Sequence, residues 1–284
     1  MNTAATPTSL NAAPQPGAAI LLIGPSGTGK TYSISTLVEA GLEVFVIGTE
    51  KKHMESLLDA MRDRKLPLEK LHWQTIAPYN PSWEAMIKSA NLINTLSFKS
   101  LTELEGIEKS SHGQFIQLLQ ALSNFKDERT GASFGPVEKW GPDRALVIDG
   151  LSGLNIMAMD LVAGSKPVKS QANWGVAMEA EERLINTLTS ATSCFFVLIG
   201  HVEREYDEIS GGVTVQVGAL GRKLAPKLPR FFSEVVLAKR EGNEFFWSTA
   251  TTGYDLKRRT LPLSEKITPS FVPLIKAWQS RQSS

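Results

Sequence analysis

The chain has 284 residues, 42% apolar and 21% charged, which is enough for one large α/β domain with a substantial core. Thirty lysines and arginines against 29 aspartates and glutamates leave a formal net charge of +1, so attraction to nucleic acid must come from a local patch rather than a global field. A single cysteine, Cys194 in the apolar run "CFFVLIG", excludes a disulfide framework and a cysteine zinc site. No apolar run nears the roughly 18 residues needed to span a bilayer, and the start of the chain lacks the basic and apolar segments of a signal peptide. The expectation is a cytoplasmic protein with no membrane partner.

Residues 1–18, "MNTAATPTSLNAAPQPGA", carry no charged side chain and no sustained apolar period, so they read as a flexible arm, with the folded domain expected over 19–284. The first strand is "AILLIG", followed by a glycine-rich turn and a helix ending at Gly41. "LEVFVIG" is the second strand. From Glu50 to Ala145 no further strand is evident, and the region about 65–143 reads as a helical insertion with two apolar stripes. Trp83, Met86, Ile87, Ala90 and Ile93 form one stripe; Phe115, Leu118, Leu119, Leu122 and Phe125 form the other. Both are expected to face the core. "RALVIDG", "CFFVLIG" and "SEVVLAKR" complete the strands. Apolar strands alternating with helices imply a mainly parallel sheet covered by helices on both faces.

The turn Gly24-Pro25-Ser26-Gly27-Thr28-Gly29-Lys30-Thr31 fits G-x-x-x-x-G-K-[ST] in full, between a strand and a helix. Glycines let successive N–H groups point at phosphate oxygens, Lys30 can reach the β and γ phosphates, and the Thr31 hydroxyl can ligate Mg²⁺. Residues 24–32, including Tyr32, are therefore expected to bind ATP. Hydrolysis also needs a carboxylate for the metal and a group that activates water. Asp149 ends the apolar run 145–148, at the edge of the sheet where open α/β folds bind ligands, and is the candidate metal aspartate. Glu50 follows the second strand, taken to lie beside the phosphate-loop strand or one strand away. It reads as the catalytic carboxylate or as the cap of the helix that follows. His201 ends the "CFFVLIG" strand, either as a sensor of the γ-phosphate or as a structural hydrogen-bond donor.

With GPSGTGKT, Glu50, "LVIDGLSGL" and His201 in this order, the sequence resembles the RecA-like branch of P-loop ATPases, in particular compact phage-encoded RecA-core proteins of single-strand annealing and recombination. "VVLAKREGNEFFWSTATTGYDLKRRTLPL" is similar to their C-terminal strand, hairpin and basic tail. The resemblance implies an ATP-hydrolysing protein of DNA recombination, repair or replication with ATP and Mg²⁺ as cofactors. It further implies single-stranded DNA, a single-strand-binding protein and further copies of the chain, in a ring or filament, as partners. A DNA-packaging or helicase-type motor and a nucleotide-switched interaction protein stay open as alternatives. In that family the loops after the metal and sensor strands face nucleic acid. Here they are about 155–174, with Lys166, Lys169 and Trp174, and about 211–230, with Arg222, Lys223, Lys227 and Arg230. These cations read equally as DNA contacts, solvated charge or subunit contacts. Lys239, Arg240 and Arg258 are candidates for reaching a neighbouring subunit's phosphate or for surface salt bridges.

Overall fold

The computed structural model describes residues 16–104, 109–206 and 213–282. In chain order, β1 (Ala19–Ile23) leads into a helix that is interrupted at Ile34, giving α1 (Lys30–Ser33) and α2 (Ser35–Glu39). β2 (Glu43–Gly48), α3 (His53–Asp63) and β3 (Leu71–Thr75) follow, then α4 (Trp83–Thr95), α5 (Phe98–Glu103) and α6 (Gln114–Ser123). β4 (Arg144–Asp149), α7 (Leu151–Ala163), α8 (Gln171–Ser190) and β5 (Phe195–Gly200) come next. A small antiparallel pair, β6 (Val202–Tyr206) and β7 (Val213–Val217), precedes the hairpin β8 (Glu234–Glu241) and β9 (Glu244–Ser248), and α9 (Val272–Gln282) ends the description.

Seven strands form one sheet in the order β3-β2-β4-β5-β1-β8-β9, parallel except for β9. The central strands are apolar on both sides because both faces are covered. Alternate residues divide between two cores. Leu21, Ile23, Phe45, Ile47, Leu146, Ile148, Phe196 and Leu198 face the cluster holding Phe115, Leu154, Met157 and Leu188 from α6, α7 and α8. Ile20, Leu22, Val44, Val46, Val147 and Val197 face the cluster holding Leu37, Leu57 and Ile275 from α2, α3 and α9. Cys194 is fully buried in the first. α9 backs the phosphate-loop helix directly, since Phe271 N–H donates to Thr36 Oγ1 at 2.9 Å, and Phe271 and Trp278 pack against Phe195.

Several expectations change. The region 65–143 is not purely helical: Leu71–Thr75 is a strand on the edge of the sheet, too short and mixed in polarity to stand out in the sequence. The stripe on α4 is not core. Trp83 is 81% exposed and Ile87 60%, and the helix has no buried residue; periodicity reveals an apolar face but not whether anything covers it. Order begins before residue 19, with Gly17 N–H bonded to Thr192 O and Ala18 O to Phe196 N–H, while residues 1–15 lie outside the described residues. The presumed loop 155–174 is mostly α7 and α8, and the loop 211–230 contains β7 and a 3₁₀ helix at Ala225–Phe231. Finally, two strands, β4 and β5, separate β2 from β1, so Glu50 stands farther along the sheet from the phosphate loop than the sequence suggested.

Candidate active site

β1 delivers the chain into the glycine-rich turn at the carboxyl edge of the sheet. Gly24 passes so close to β8 that a Cβ there would sit 2.4 Å from Ala238 O, so only glycine fits. Gly27 and Gly29 take φ of 73° and 77°, the left-handed region that lets the loop curl its N–H groups inward. Pro25, Ser26 and Gly27 form the exposed crown, while Thr28 is buried and donates to Pro25 O at 2.8 Å. Lys30 folds under the crown, its Nζ donating to Gly24 O at 2.8 Å and Pro25 O at 2.7 Å. Burial pulls its amine down from 10.5 to about 8, against the opposing pull of Asp149 and Glu50.

Thr31 Oγ1 donates to Asp149 Oδ2 at 2.8 Å, joining the first turn of the helix to the end of β4. Burial raises the Asp149 carboxyl above its ordinary range, opposed by the Thr31 hydrogen bond and by the charges of His53 and Lys30. The ends of β2 and β4 are also locked together. Thr49 N–H donates to Asp149 O at 2.7 Å, and Thr49 Oγ1 donates to Gly150 O at 2.8 Å while accepting from Gly150 N–H at 3.0 Å. This lock carries Glu50 onto the rim of the same cleft. Glu50 does not cap α3 through its side chain: the residue before that helix is Lys52, and no side-chain cap bond forms there.

Glu50, Lys30, Thr31, Tyr32, Asp149 and His201 all line one cleft of about 490 Å³, a volume suited to a small organic ligand. Tyr32 also steadies α3, its hydroxyl 3.4 Å from Asp63 Oδ2 and Arg64 stacked over its ring. Several lining residues were missed in the sequence, His53 and Phe245 among them. His53, three positions after Glu50, carried no motif. Phe245 lies on the outward face of β9, its ring 3.2 Å from where a Cβ on Gly29 would stand. The hard oxygens of Thr31 and Asp149 suit Mg²⁺, and the curled loop with Lys30 suits a chain of phosphates.

The other candidate cations scatter. Lys227 and Arg230 pair with Glu182 on α8 at 3.1 and 2.6 Å, so they brace the 3₁₀ helix against α8. Arg240 stacks on Phe245, which places it beside this chain's own cleft wall, while Lys239 lies over Phe246 on the other face of the hairpin. Lys169, Arg222, Lys223 and Arg258 are exposed and Lys166 is half-buried. Trp174, 38% exposed on α8, comes within 3.7 Å of a Cβ position on Gly221, so the two basic segments meet in space.

A family model described as an AAA domain matches residues 17–266. The chain belongs to the AAA domain family. No curated protein matches it. Among solved structures, this AAA domain is similar to the RadB recombinase at 12% identity, over 89% of this chain and 86% of that one, with a TM-score of 0.43. It is also similar to an ATPase from the type III secretion system of pathogenic bacteria at 14% identity, over 79% of this chain and 53% of that one, with a TM-score of 0.39. Its mainly parallel seven-stranded sheet with flanking helices is the α/β architecture the sequence led us to expect. No described helix is long and apolar enough to cross a membrane.

Proposed function

We propose that this AAA domain is a Mg²⁺-dependent ATPase of RecA-like organisation that works on single-stranded DNA. The observation that carries the catalytic half is the Thr31–Asp149 hydrogen bond inside a cleft that also holds Lys30, Glu50 and His201. In this reading the turn 24–31 wraps the phosphates and Lys30 neutralises the β and γ groups. Thr31 and Asp149 hold the metal and its water, which supplies charge neutralisation at the transferred phosphate. Glu50 accepts the proton of the attacking water, and His201, just past β5, faces the cleft as a polar sensor. The strand order supports this division of labour, since the carboxyl ends of β1, β2, β4 and β5 each deliver one member.

Support for DNA is the approach of Trp174 on α8 to Gly221, which is followed by the exposed cations Arg222 and Lys223, with Lys169 exposed on the segment just before α8. Cations to pair with phosphates and an aromatic on which a base can stack are the two components of a single-strand platform. ATP hydrolysis measured with and without single-stranded DNA tests both halves. Mg²⁺-dependent turnover that rises with DNA is expected. A folded protein without turnover would sink the ATPase reading, and turnover indifferent to DNA that the protein also fails to bind would sink the polymer.

A further inference from the structure

His53 opens α3 and is only 8% exposed, yet it lines the cleft with Lys30, Glu50 and Asp149. Its Nδ1 lies 2.5 Å from the main-chain oxygen of Glu50. A carbonyl oxygen only accepts, so Nδ1 carries the hydrogen and, in the neutral ring, Nε2 presents a lone pair. That Nε2 is buried and has no hydrogen-bond partner among the described residues. Buried polar atoms in folded proteins nearly always find partners, and those that do not call for an explanation in function or in a ligand.

The seat of the ring is itself unusual. A Cβ on Gly48 would fall 1.9 Å from both Cε1 and Nε2 of His53, so the last residue of β2 has no side chain because the imidazole occupies that space. Gly48 is the register partner of Asp149 on β4, which sets the ring beside the candidate metal carboxylate. If the ring served only to fill space, phenylalanine would fill it without leaving a nitrogen unpaired.

Building on the ATPase reading above, we propose that His53 is a positioning residue: Nδ1–H fixes the Glu50 main chain, and Nε2 accepts a hydrogen bond from a water that enters with the metal–nucleotide complex. The imidazole thus holds the carboxylate that activates water and the hydrated metal in fixed relation. Groups in this outer position alter metal affinity or activity by about 10- to 100-fold when removed.

The test uses the full-length chain, a non-hydrolysable ATP analogue and Mn²⁺ as the spectroscopic probe. His53→Phe keeps the ring over Gly48 without its nitrogens, His53→Gln restores a polar end, and Gly48→Ala evicts the ring. For His53→Phe we expect metal-free nucleotide binding near that of the wild type, Mn²⁺ affinity of the nucleotide complex down by about 10- to 100-fold, and a matching loss in kcat with little change in KM. His53→Gln should recover part of both losses, and Gly48→Ala, where folded, should resemble His53→Phe. Wild-type Mn²⁺ affinity and kcat in His53→Phe would overturn the proposal. So would equal loss of thermal stability and metal-free nucleotide binding in the Phe and Gln variants, which marks a packing role. A wild-type protein that binds no Mn²⁺–nucleotide would instead overturn the ATPase reading on which the proposal rests.

Discussion

Thr31 and Asp149 are 118 residues apart in sequence, and their side chains meet at 2.8 Å across the mouth of the sheet. The contact exists because β4 and β1 run parallel with β5 between them, so their carboxyl ends share one edge. It also specifies a difference between two variants. Asp149→Asn should lower Mg²⁺ affinity by about 10- to 100-fold and leave metal-free nucleotide binding intact. Glu50→Gln should keep both affinities and lose about 100-fold or more in turnover, because an amide cannot take up a proton. Titrations of nucleotide and Mg²⁺ beside steady-state rates separate the two, and normal hydrolysis by Glu50→Gln would move the base elsewhere.

Lys30 should show its lowered pKa, about 8, directly. Near pH 8 about half of its amines are free, against well under 1% for an ordinary lysine. Competitive amine acylation followed by peptide mass spectrometry should single it out, with nucleotide protecting it. Nucleotide phosphates favour the protonated form, so affinity should be level below about pH 8 and fall by up to tenfold per unit above it. A flat affinity profile to pH 9.5 would contradict this assignment.

Glu181 on α8 is fully buried with neither carboxyl oxygen hydrogen-bonded among the described residues, and burial pushes its pKa from 4.5 up to about 8. For an acid raised on folding, the unfolded chain releases its proton first. Stability is therefore undiminished below about pH 4.5, falls by up to about 1.4 kcal/mol per unit between 4.5 and 8, and levels off above. Glu181→Leu should raise the melting temperature more at pH 8 than at pH 5. Equal shifts at the two pH values would mean that the carboxyl is ionised in the fold.

The uncovered stripe on α4 predicts a cheap mutation where the sequence alone predicts a costly one. Trp83→Ser with Ile87→Ser should change stability by less than about 0.5 kcal/mol for each residue, as at other exposed positions. A core stripe would lose several times more, a difference that urea unfolding resolves.

If Arg222 and Lys223 grip phosphates, replacing both with alanine should flatten the salt dependence of single-strand binding by about 0.7 units of slope per lost contact. Lys227→Ala should instead act on stability through its ion pair with Glu182, with the slope unchanged. Equal slopes in all three proteins would remove this face from consideration.

What the sequence disclosed was local. The phosphate loop is contiguous, and Asp149 announces itself by ending a run of apolar residues. Glu50 was located but misplaced, because strand order depends on pairings between residues a hundred positions apart. The seat of His53 on Gly48 was invisible for the same reason, since a glycine at the end of a strand looks like a turn signal until a ring is found above it. The α4 stripe shows the converse error: its period of three to four residues is genuine, but burial belongs to the neighbours an element has, and none packs closely enough on α4 to bury any of its residues. Lys227 and Arg230 looked like free cations until α8 brought Glu182 between them.

The support given by α9 to the phosphate-loop helix has a consequence for how the protein is made. Thr36, on the helix behind residues 24–31, is made 235 residues before Phe271, whose N–H seats it, and Phe271 and Trp278 pack together around Phe195. β1 likewise waits for β5 and β8 to flank it. Nucleotide capture should therefore wait until Phe271 has cleared the ribosome. A ribosome stalled shortly after residue 265 should display a nascent chain that holds no nucleotide, whereas one from which residues up to Gln282 have emerged should display a chain that does.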